Sequence, residues 1–204
     1  SYLYVRDKKV KSDDYAKDYD TISTTYDRLW TKEMGTYTKE MLDRIHFKKG
    51  DRMLDLACGT GYIIEQALKT KPSKIIGIDN SEGMLNIATK RVKSRAELIS
   101  GDMLQEIQKL PDNSFDIVTC AWALAYVKKG QLIKEIHRVL KKGGQVGIIV
   151  NRKGTIATIE DAFLRLMQSH PDKVKSINDI GFRLPTDHKH IRKLLERNHL
   201  TWID

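Results

Sequence analysis

The stretch MLDLACGTG, from Met53 to Gly61, decides the fold of this chain. Its first half is typical of a buried strand, and its second half is a glycine turn that leads into a helix over Tyr62 to Leu68. Such a turn exposes backbone at the carboxyl edge of a parallel strand, where open α/β sheets bind their ligands. Gly59 and Gly61 can adopt positive φ, so a ligand can lie against the main chain without a Cβ in the way.

The residues after the turn argue against a dinucleotide site. The fingerprint G-x-G-x-x-G would place its third glycine at position 64, where this chain has Ile64. The most specific element of a diphosphate-binding turn is therefore missing.

Acidic residues end three successive predicted strands. Asp55 lies in the first, and Asp79 and Asp102 follow the runs KIIGI and AELISG. An acid after the second strand can accept hydrogen bonds from ribose hydroxyls, and one after the third can accept from an adenine amine. Clustered carboxylates repel a diphosphate and favour a cationic nucleoside, since a charge pair at about 4 Å is worth roughly 4 kcal/mol at an effective dielectric near 20.

With these motifs the chain resembles the class I S-adenosylmethionine-dependent methyltransferases, in particular the small-molecule enzymes that include quinone-biosynthesis methyltransferases. Five motifs occur in the order and spacing of that family over about residues 50 to 150. They are LDLACGTG, GIDNSEGML, SGDMLQEI, PDNSFDIVTCAWALAYV and EIHRVLKKGGQVGIIV. The resemblance implies a Rossmann-like, doubly wound α/β fold, with a mainly parallel sheet between two helical layers, and the cofactor S-adenosyl-L-methionine with the product S-adenosyl-L-homocysteine.

The resemblance also implies which residues hold that cofactor. Asp79 is expected at the ribose, Asp102 near the adenine, and Asp55 as an acid that orders the turn and reaches the methionyl amine through it or through a water. The segment Tyr19 to Trp30 resembles the short helix that covers the site in relatives, and one hydroxyl of Tyr19 or Tyr26 is expected to reach the cofactor carboxylate. The remaining expected cofactor contacts are Ala57, Gly59, Thr60, Gly61, Asn80, Met84, Met103, Ala121 and Trp122.

The implied reaction is direct displacement at the sulfonium methyl group, for which alignment alone supplies about 7–11 kcal/mol of the barrier. No general base is identified. The fourth motif reads Cys120-Ala121-Trp122-Ala123 and lacks the Asn/Asp-Pro-Pro-Tyr/Phe pattern of DNA amino-methylating enzymes. An aromatic pocket formed by Trp122, Tyr126, Phe163 and Met167 favours a small organic acceptor such as a phenol, quinol or carboxylate.

Two alternatives stay open at this point, an RNA-modifying methyltransferase and a non-catalytic S-adenosylmethionine-binding domain of a larger assembly. The net charge is +9, but the excess is spread as +2, +4 and +3 over residues 1–50, 51–150 and 151–204. A nucleic-acid surface usually shows a clustered basic patch, so nucleic acid is the less favoured partner.

The composition predicts a cytoplasmic protein. No apolar run approaches the ~20 residues of a membrane span, and the first residues contain no signal-peptide core. Cys58 and Cys120 are expected as buried thiols rather than a disulfide. His188 and His190 are expected to begin a surface helix rather than to bind a metal.

We expect one methyltransferase domain over 1–204, with a helical lid over 1–48, a cofactor-binding core over 49–151 and a substrate-side segment over 152–204. Predicted helices are 12–18, 21–30, 36–46, 62–69, 82–92, 103–109, 130–140, 157–169 and 188–198; predicted strands are 51–57, 74–79, 96–100, 115–121, 145–150 and 200–204. Ser81 is a predicted N-cap, and Lys142-Gly143-Gly144 a predicted helix stop. Relatives close the sheet with two further strands, so we expect a shortened C-terminal edge that a homodimer or a further C-terminal segment completes.

Overall fold

The computed structural model describes residues 12–28, 32–151 and 188–201. Two helices precede the sheet, α1 (Ser12–Tyr26) and α2 (Lys32–Arg44). The predicted break of α1 after residue 18 is wrong, because the helix continues through Asp20. Its hydroxyl side chains bond inside the helix, with Thr21 donating to the Lys17 carbonyl and Ser23 to the Asp20 carbonyl.

Strands and helices then alternate through the core. The strands are β1 (Arg52–Leu56), β2 (Lys74–Asp79), β3 (Glu97–Ser100), β4 (Phe115–Ala121) and β5 (Leu140–Ile149). The helices are α3 (Tyr62–Ala67), α4 (Glu82–Val92), α5 (Met103–Gln108) and α6 (Lys129–Val139), with α7 (His188–Arg197) after the gap. Short 3₁₀ turns lie at Leu68–Thr70 and Leu124–Tyr126.

The five strands form one sheet in the order β3-β2-β1-β4-β5, and every pairing is parallel. The chain moves outward from β1 to β3 on one side and from β4 to β5 on the other. The direction reverses between β1 and β4, and this switch point is where an open α/β sheet forms its ligand crevice. The predicted doubly wound, parallel fold is confirmed.

The core lies on both faces of the sheet, as expected for parallel strands. On β1, Leu54 and Leu56 pack into one cluster with α5, α6 and α7, and Met53 packs into another with α2 and α3. Asp55 falls on the Met53 side by strand alternation and is 1% exposed. Asp55 is thus a buried carboxyl in a largely apolar part of the core, shortly before the glycine turn.

The predicted helix stop at Lys142-Gly143-Gly144 is wrong. Helix α6 ends at Val139, because the backbone N–H groups of Asn113 and Ser114 bind the Arg138 and Val139 carbonyls. Strand β5 therefore begins at Leu140, before the predicted position 145, and its register with β4 shifts between the Phe115 and Ile117 pairings. Gly143, with φ 79°, lies within this irregular stretch.

Ser81 is the N-cap of α4 and accepts from the Met84 N–H at 3.1 Å, as predicted. At the C-terminus, Leu200 and Thr201 are not in a strand, and residues 202–204 lie outside the described residues, as do the predicted helix 157–169, Phe163 and Met167. The His188 and His190 side chains are exposed at the start of α7, and both cysteines are free and buried.

Candidate cofactor cleft and adjoining cavity

A cleft, of about 740 Å³ including the solvent space at its mouth, lies at the carboxyl ends of β1 to β4, beneath α1. Most of the predicted cofactor contacts line it together. These are Tyr19, Tyr26, Ala57, Gly59, Asp79, Asn80, Met84, Asp102, Met103, Ala121 and Trp122. The predicted contacts Asp55, Thr60 and Gly61 do not line this cleft.

The two turn glycines have different tasks. Gly59 has φ 54°, and a Cβ built on it would meet no atom within 4 Å, so its backbone faces open space in the cleft. Gly61 has φ 78° and is the N-cap of α3. A Cβ there would lie 3.1 Å from the Ala88 Cβ, so Gly61 serves the packing of α3 on α4.

Asp79 connects the end of β2 to the glycine turn. Its Oδ2 accepts from the Gly59 N–H at 2.7 Å, and its Oδ1 accepts from the Ser81 N–H at 2.9 Å. Burial raises the pKa of this carboxyl, and the backbone donors partly oppose the shift. Asp79 therefore faces the cleft from a fixed position and orders the loops on either side of it.

Asp102 has two roles in the structure. It is the N-cap of α5, where Oδ1 accepts from the Leu104 and Gln105 N–H groups at 3.0 and 3.1 Å. It also lines the cleft beside Met103. Its role as an N-cap thus fixes the Asp102 carboxylate at the β3 end of the cleft.

Asp55 lies outside the cleft lining, within the core. Its Oδ1 accepts from the Thr119 hydroxyl at 2.6 Å, while the buried Oδ2 has no hydrogen-bond partner among the described residues. Burial raises the pKa of Asp55 to about 7; the Thr119 bond opposes this rise and the nearby Asp79 adds to it. An unsatisfied buried acceptor next to the glycine turn suits a cationic ligand group nearby.

Tyrosines from α1 and from the turn after β4 form one wall of the cleft. The hydroxyls of Tyr19 and Tyr126 lie 2.8 Å apart, and the Tyr19 and Tyr26 rings meet edge to face with centroids 5.9 Å apart. Tyr15 packs on Tyr126 with a centroid distance of 4.9 Å. Burial raises the pKa of Tyr26 to about 12 and raises the pKa values of Tyr19 and Tyr126, so these hydroxyls stay protonated.

The sequence reasoning missed part of the cleft lining. The missed residues are Tyr15, Ala16, Ser81, Gly101 and Ala123, and Tyr126 was expected only near the acceptor. Tyr15 and Tyr19 are one helical turn apart, so their shared face was a usable signal. The contact with Tyr126 joins residues 107 positions apart, and no local pattern indicates it.

Two polar contacts hold α1 across the cleft. At α4, Asp20 Oδ1 accepts from the Ser81 hydroxyl at 2.5 Å and from the Gly83 N–H at 2.9 Å. Directly after the end of α1, Asp27 pairs with Arg91 and accepts from the Thr60 hydroxyl at 2.7 Å. Thr60 therefore anchors α1 instead of lining the cleft.

A second cavity, of about 480 Å³ including the solvent space at its mouth, adjoins the cleft. Both are lined by Tyr26, Ala57, Gly59, Ala121 and Trp122. The second cavity is completed by Met34, Gly35, Thr38, Cys58, Thr60, Tyr62 and Ile63.

Trp122 stands between the two spaces in a conformation that is unusual for a bulky residue, with φ 64°. Its backbone N–H donates to the Ile149 carbonyl at 2.7 Å, and its Nε1 donates to the Thr38 hydroxyl at 3.3 Å. Ala57, also in the shared wall, has φ 56°. Backbone strain of this kind concentrates at functional sites.

The residues present fit S-adenosylmethionine. The open space over Gly59 can receive a ligand against the backbone, and Asp79 and Asp102 offer carboxylates to a nucleoside. The unsatisfied Asp55 Oδ2 suits a nearby cation. Among the described residues, no cluster of His, Cys, Asp or Glu could hold a metal ion, and none of their helices is long and apolar enough to cross a membrane.

Comparisons with known proteins agree with this geometry. The family described as a methyltransferase domain matches residues 54–148. The demethylmenaquinone methyltransferase of Symbiobacterium thermophilum is 36% identical over 141 residues, which cover 62% of this chain and 55% of that protein. That of Staphylococcus carnosus is 31% identical over 166 residues, which cover 76% of this chain and 67% of that protein.

A solved structure extends the similarity along the chain. The methyltransferase in complex with the Haloferax volcanii Trm112 activator is 25% identical with a TM-score of 0.65, covering 98% of this chain and 80% of that one. The first-named curated relative is longer, and the chain spans about half its length. The expected resemblance is confirmed: this chain belongs to the class I S-adenosylmethionine-dependent methyltransferases, whose cofactor is S-adenosylmethionine.

Proposed function

We propose that the chain transfers the methyl group of S-adenosylmethionine to a small organic acceptor by direct displacement, and that the acceptor is an aromatic quinol. The observation that carries the proposal is the contrast between the two ends of the cleft. Asp79 and Asp102 lie at the ends of β2 and β3, whereas the β4 end is lined by Ala121, Trp122 and Tyr126. The acidic end at β2 and β3 suits a nucleoside, and the aromatic end at β4 suits an apolar ring.

The similarity to demethylmenaquinone methyltransferases supports a quinol-type acceptor. The charge of the lining supports it as well. No lysine or arginine is among the described residues that line the cleft or the second cavity. An RNA substrate would require cations for its phosphates, so the RNA-modifying alternative is disfavoured.

When bound, S-adenosylmethionine supplies a methyl group whose bond to sulfur breaks, with the electron pair going to sulfur, as the acceptor forms its bond to carbon and loses a proton. The protein's part is to bind, orient and exclude water. We assign Asp79 to the ribose and Asp102 to the adenine end. We assign the backbone at Gly59 to the methionyl arm, with the Asp55 carboxyl beneath the turn, where a bound cation would favour its ionised form.

The tyrosines act as donors in this scheme rather than as bases. Because burial raises the pKa values of Tyr19, Tyr26 and Tyr126, their hydroxyls keep their protons at neutral pH. A protonated phenol can orient a carboxylate or an acceptor oxygen by donating a hydrogen bond. It cannot efficiently remove a proton, so the acceptor must be a good nucleophile by itself, as the electron-rich ring of a quinol is.

The test is transfer of radiolabel from methyl-labelled S-adenosylmethionine to reduced 1,4-naphthoquinone, with phosphoethanolamine and bulk tRNA as parallel acceptors. We expect label in the organic-extractable naphthalene product. Label in tRNA would instead support the RNA-modifying alternative. A protein that binds S-adenosylhomocysteine but labels no acceptor would contradict the proposal and favour a non-catalytic binding domain.

A further inference from the structure

We propose that the second cavity, between α2 and the glycine turn, receives the methyl acceptor, and that it selects a neutral, flat aromatic ring bearing oxygen substituents. This inference rests on the proposed function and deepens it, because it names where the acceptor lies and which residues choose it.

The second cavity lies on the side of the cleft away from Asp79 and Asp102. In the sheet, β2 and β3 lie on one side of β1, and β4 lies on the other. Asp79 and Asp102, at the ends of β2 and β3, line the cleft but not the second cavity. Ala57 after β1 and Trp122 after β4 line both. The second cavity therefore opens from the side of the cleft away from the nucleoside end, where a methyl group would leave the cofactor.

The lining of the second cavity is uncharged and rich in aromatic rings. No side chain that lines the second cavity is charged at neutral pH, because burial raises the pKa of the Cys58 thiol and keeps it protonated. The lining combines the rings of Tyr26, Tyr62 and Trp122 with apolar Met34 and Ile63. A charged acceptor would lose its hydration here without a counter-ion, whereas a flat ring would find aromatic faces.

The polar groups of this lining point to an oxygen-bearing ring. The Thr38 hydroxyl is engaged, since it donates to the Met34 carbonyl at 3.2 Å and accepts from the Trp122 indole. The Tyr26 and Tyr62 hydroxyls have no hydrogen-bond partner among the described residues. Two phenol donors in an otherwise apolar space can hold the oxygens of a phenol or quinol.

The second cavity is also lined by a helical glycine that the packing of its neighbours does not require. Gly35 lies in α2, where glycine is unfavourable. A Cβ built on it would meet only the Tyr62 hydroxyl, at 3.8 Å, so no neighbour requires its absence. The absence of a side chain at Gly35 leaves free volume in the second cavity, opposite the Tyr62 hydroxyl.

A larger side chain at position 35 tests this inference. Gly35→Leu should occupy the second cavity without reaching the cleft, and Tyr62→Phe should remove one donor. Gly130→Ala, in α6 and outside both cavity linings, is the matched helical-glycine control, and thermal melts check that each variant folds. Two ligands are titrated calorimetrically into each protein: S-adenosylhomocysteine, and then 1,4-naphthoquinone in its presence.

We expect Gly35→Leu to weaken naphthoquinone binding at least tenfold while the Kd of S-adenosylhomocysteine changes less than twofold. Tyr62→Phe should weaken naphthoquinone binding less, and Gly130→Ala should change neither. This pattern supports the inference even if no acceptor is ever methylated, in which case only the proposed catalysis fails.

Two results would overturn the inference. Unchanged naphthoquinone binding and turnover in Gly35→Leu would place the acceptor elsewhere while leaving the proposed function intact. A tenfold loss of S-adenosylhomocysteine binding in a folded Gly35→Leu protein would mean that the second cavity holds part of the cofactor instead.

Discussion

The Gly59 N–H donates to the Asp79 carboxylate at 2.7 Å, which joins the glycine turn after β1 to the end of β2. The two residues are 20 positions apart in the chain and line the same cleft. The bond holds the turn in the shape that leaves the Gly59 backbone open to a ligand. It also fixes the carboxylate that we assign to the ribose.

Substitutions of Gly59 and Gly61 should have different main effects, the first on S-adenosylhomocysteine binding and the second on thermal stability. Gly59→Ala places a methyl group in open space in the cleft, so we expect S-adenosylhomocysteine binding to weaken at least tenfold. Both variants place alanine in the left-handed region, which costs about 1–2 kcal/mol. Only Gly61→Ala adds a clash, because its Cβ would lie 3.1 Å from the Ala88 Cβ.

For Gly61→Ala we therefore expect the Tm to fall by about 3–8 °C, a larger fall than in Gly59→Ala. Calorimetric titration and thermal denaturation of both variants measure the two effects. Equal losses of binding and stability in both would contradict the separate tasks of the two glycines.

Asp55 should make stability depend on pH in an unusual direction. Its pKa rises from 3.8 to about 7 on folding, so the folded state binds the proton more tightly than the unfolded state. The contribution of this group to stability is therefore greatest below the unfolded pKa and is lost as pH rises from about 4 to about 7.

Asp55→Asn removes that titration but keeps the side-chain shape. We expect the free energy of unfolding of the variant, relative to the parent, to increase with pH across this window, by up to about 1.4 kcal/mol per pH unit. Urea denaturation at pH 5, 6, 7 and 8 measures the difference. A difference that does not change with pH would show that Asp55 does not titrate in this range.

Arg91 should control how firmly α1 covers the cleft. Its guanidinium pairs with Asp27 and donates to the Thr60 carbonyl and hydroxyl, both at 3.0 Å. Arg91→Met keeps much of the apolar stem but removes these donors. We expect faster amide hydrogen exchange in residues 12–28 and faster dissociation of S-adenosylhomocysteine.

Arg138→Met is the matched control, because Arg138 of α6 pairs with Asp112 and Glu135 and its other described hydrogen bonds go to the Leu110 and Ile107 carbonyls, not to α1. Its variant should leave exchange in residues 12–28 unchanged. If Arg91→Met also left that exchange unchanged, the Asp27–Arg91 pair would not be what holds α1 in place.

Much of the core was predictable because local signals and tertiary packing agree there. β2 (Lys74–Asp79), α4 (Glu82–Val92) and β4 (Phe115–Ala121) match the predicted bounds. In each, an apolar pattern is bounded by turn or capping residues such as Ser81. Asp79 and Asp102 could be proposed as site residues for the same reason, since they follow strands that the sequence identifies.

The remaining features depend on contacts between distant segments. Asp20 stays inside α1 because its carboxylate is used by Ser81 and Gly83 at the start of α4. The Tyr19–Tyr126 contact and the Trp122–Thr38 bond similarly join segments far apart in the chain. The early start of β5 follows from the pairing of residues 113 and 114 with the end of α6. Single-sequence patterns contain none of this information.

The most direct test of the cofactor site is calorimetric titration of S-adenosylhomocysteine into the parent protein, Asp79→Ala and the control Asp43→Ala, with NADH as a second ligand. Asp43 is an exposed acid of α2 that pairs with Lys39. We expect micromolar S-adenosylhomocysteine binding by the parent and Asp43→Ala, at least tenfold weaker binding by Asp79→Ala, and no binding of NADH. Equal S-adenosylhomocysteine binding by all three folded proteins, or tighter binding of NADH, would contradict this expectation.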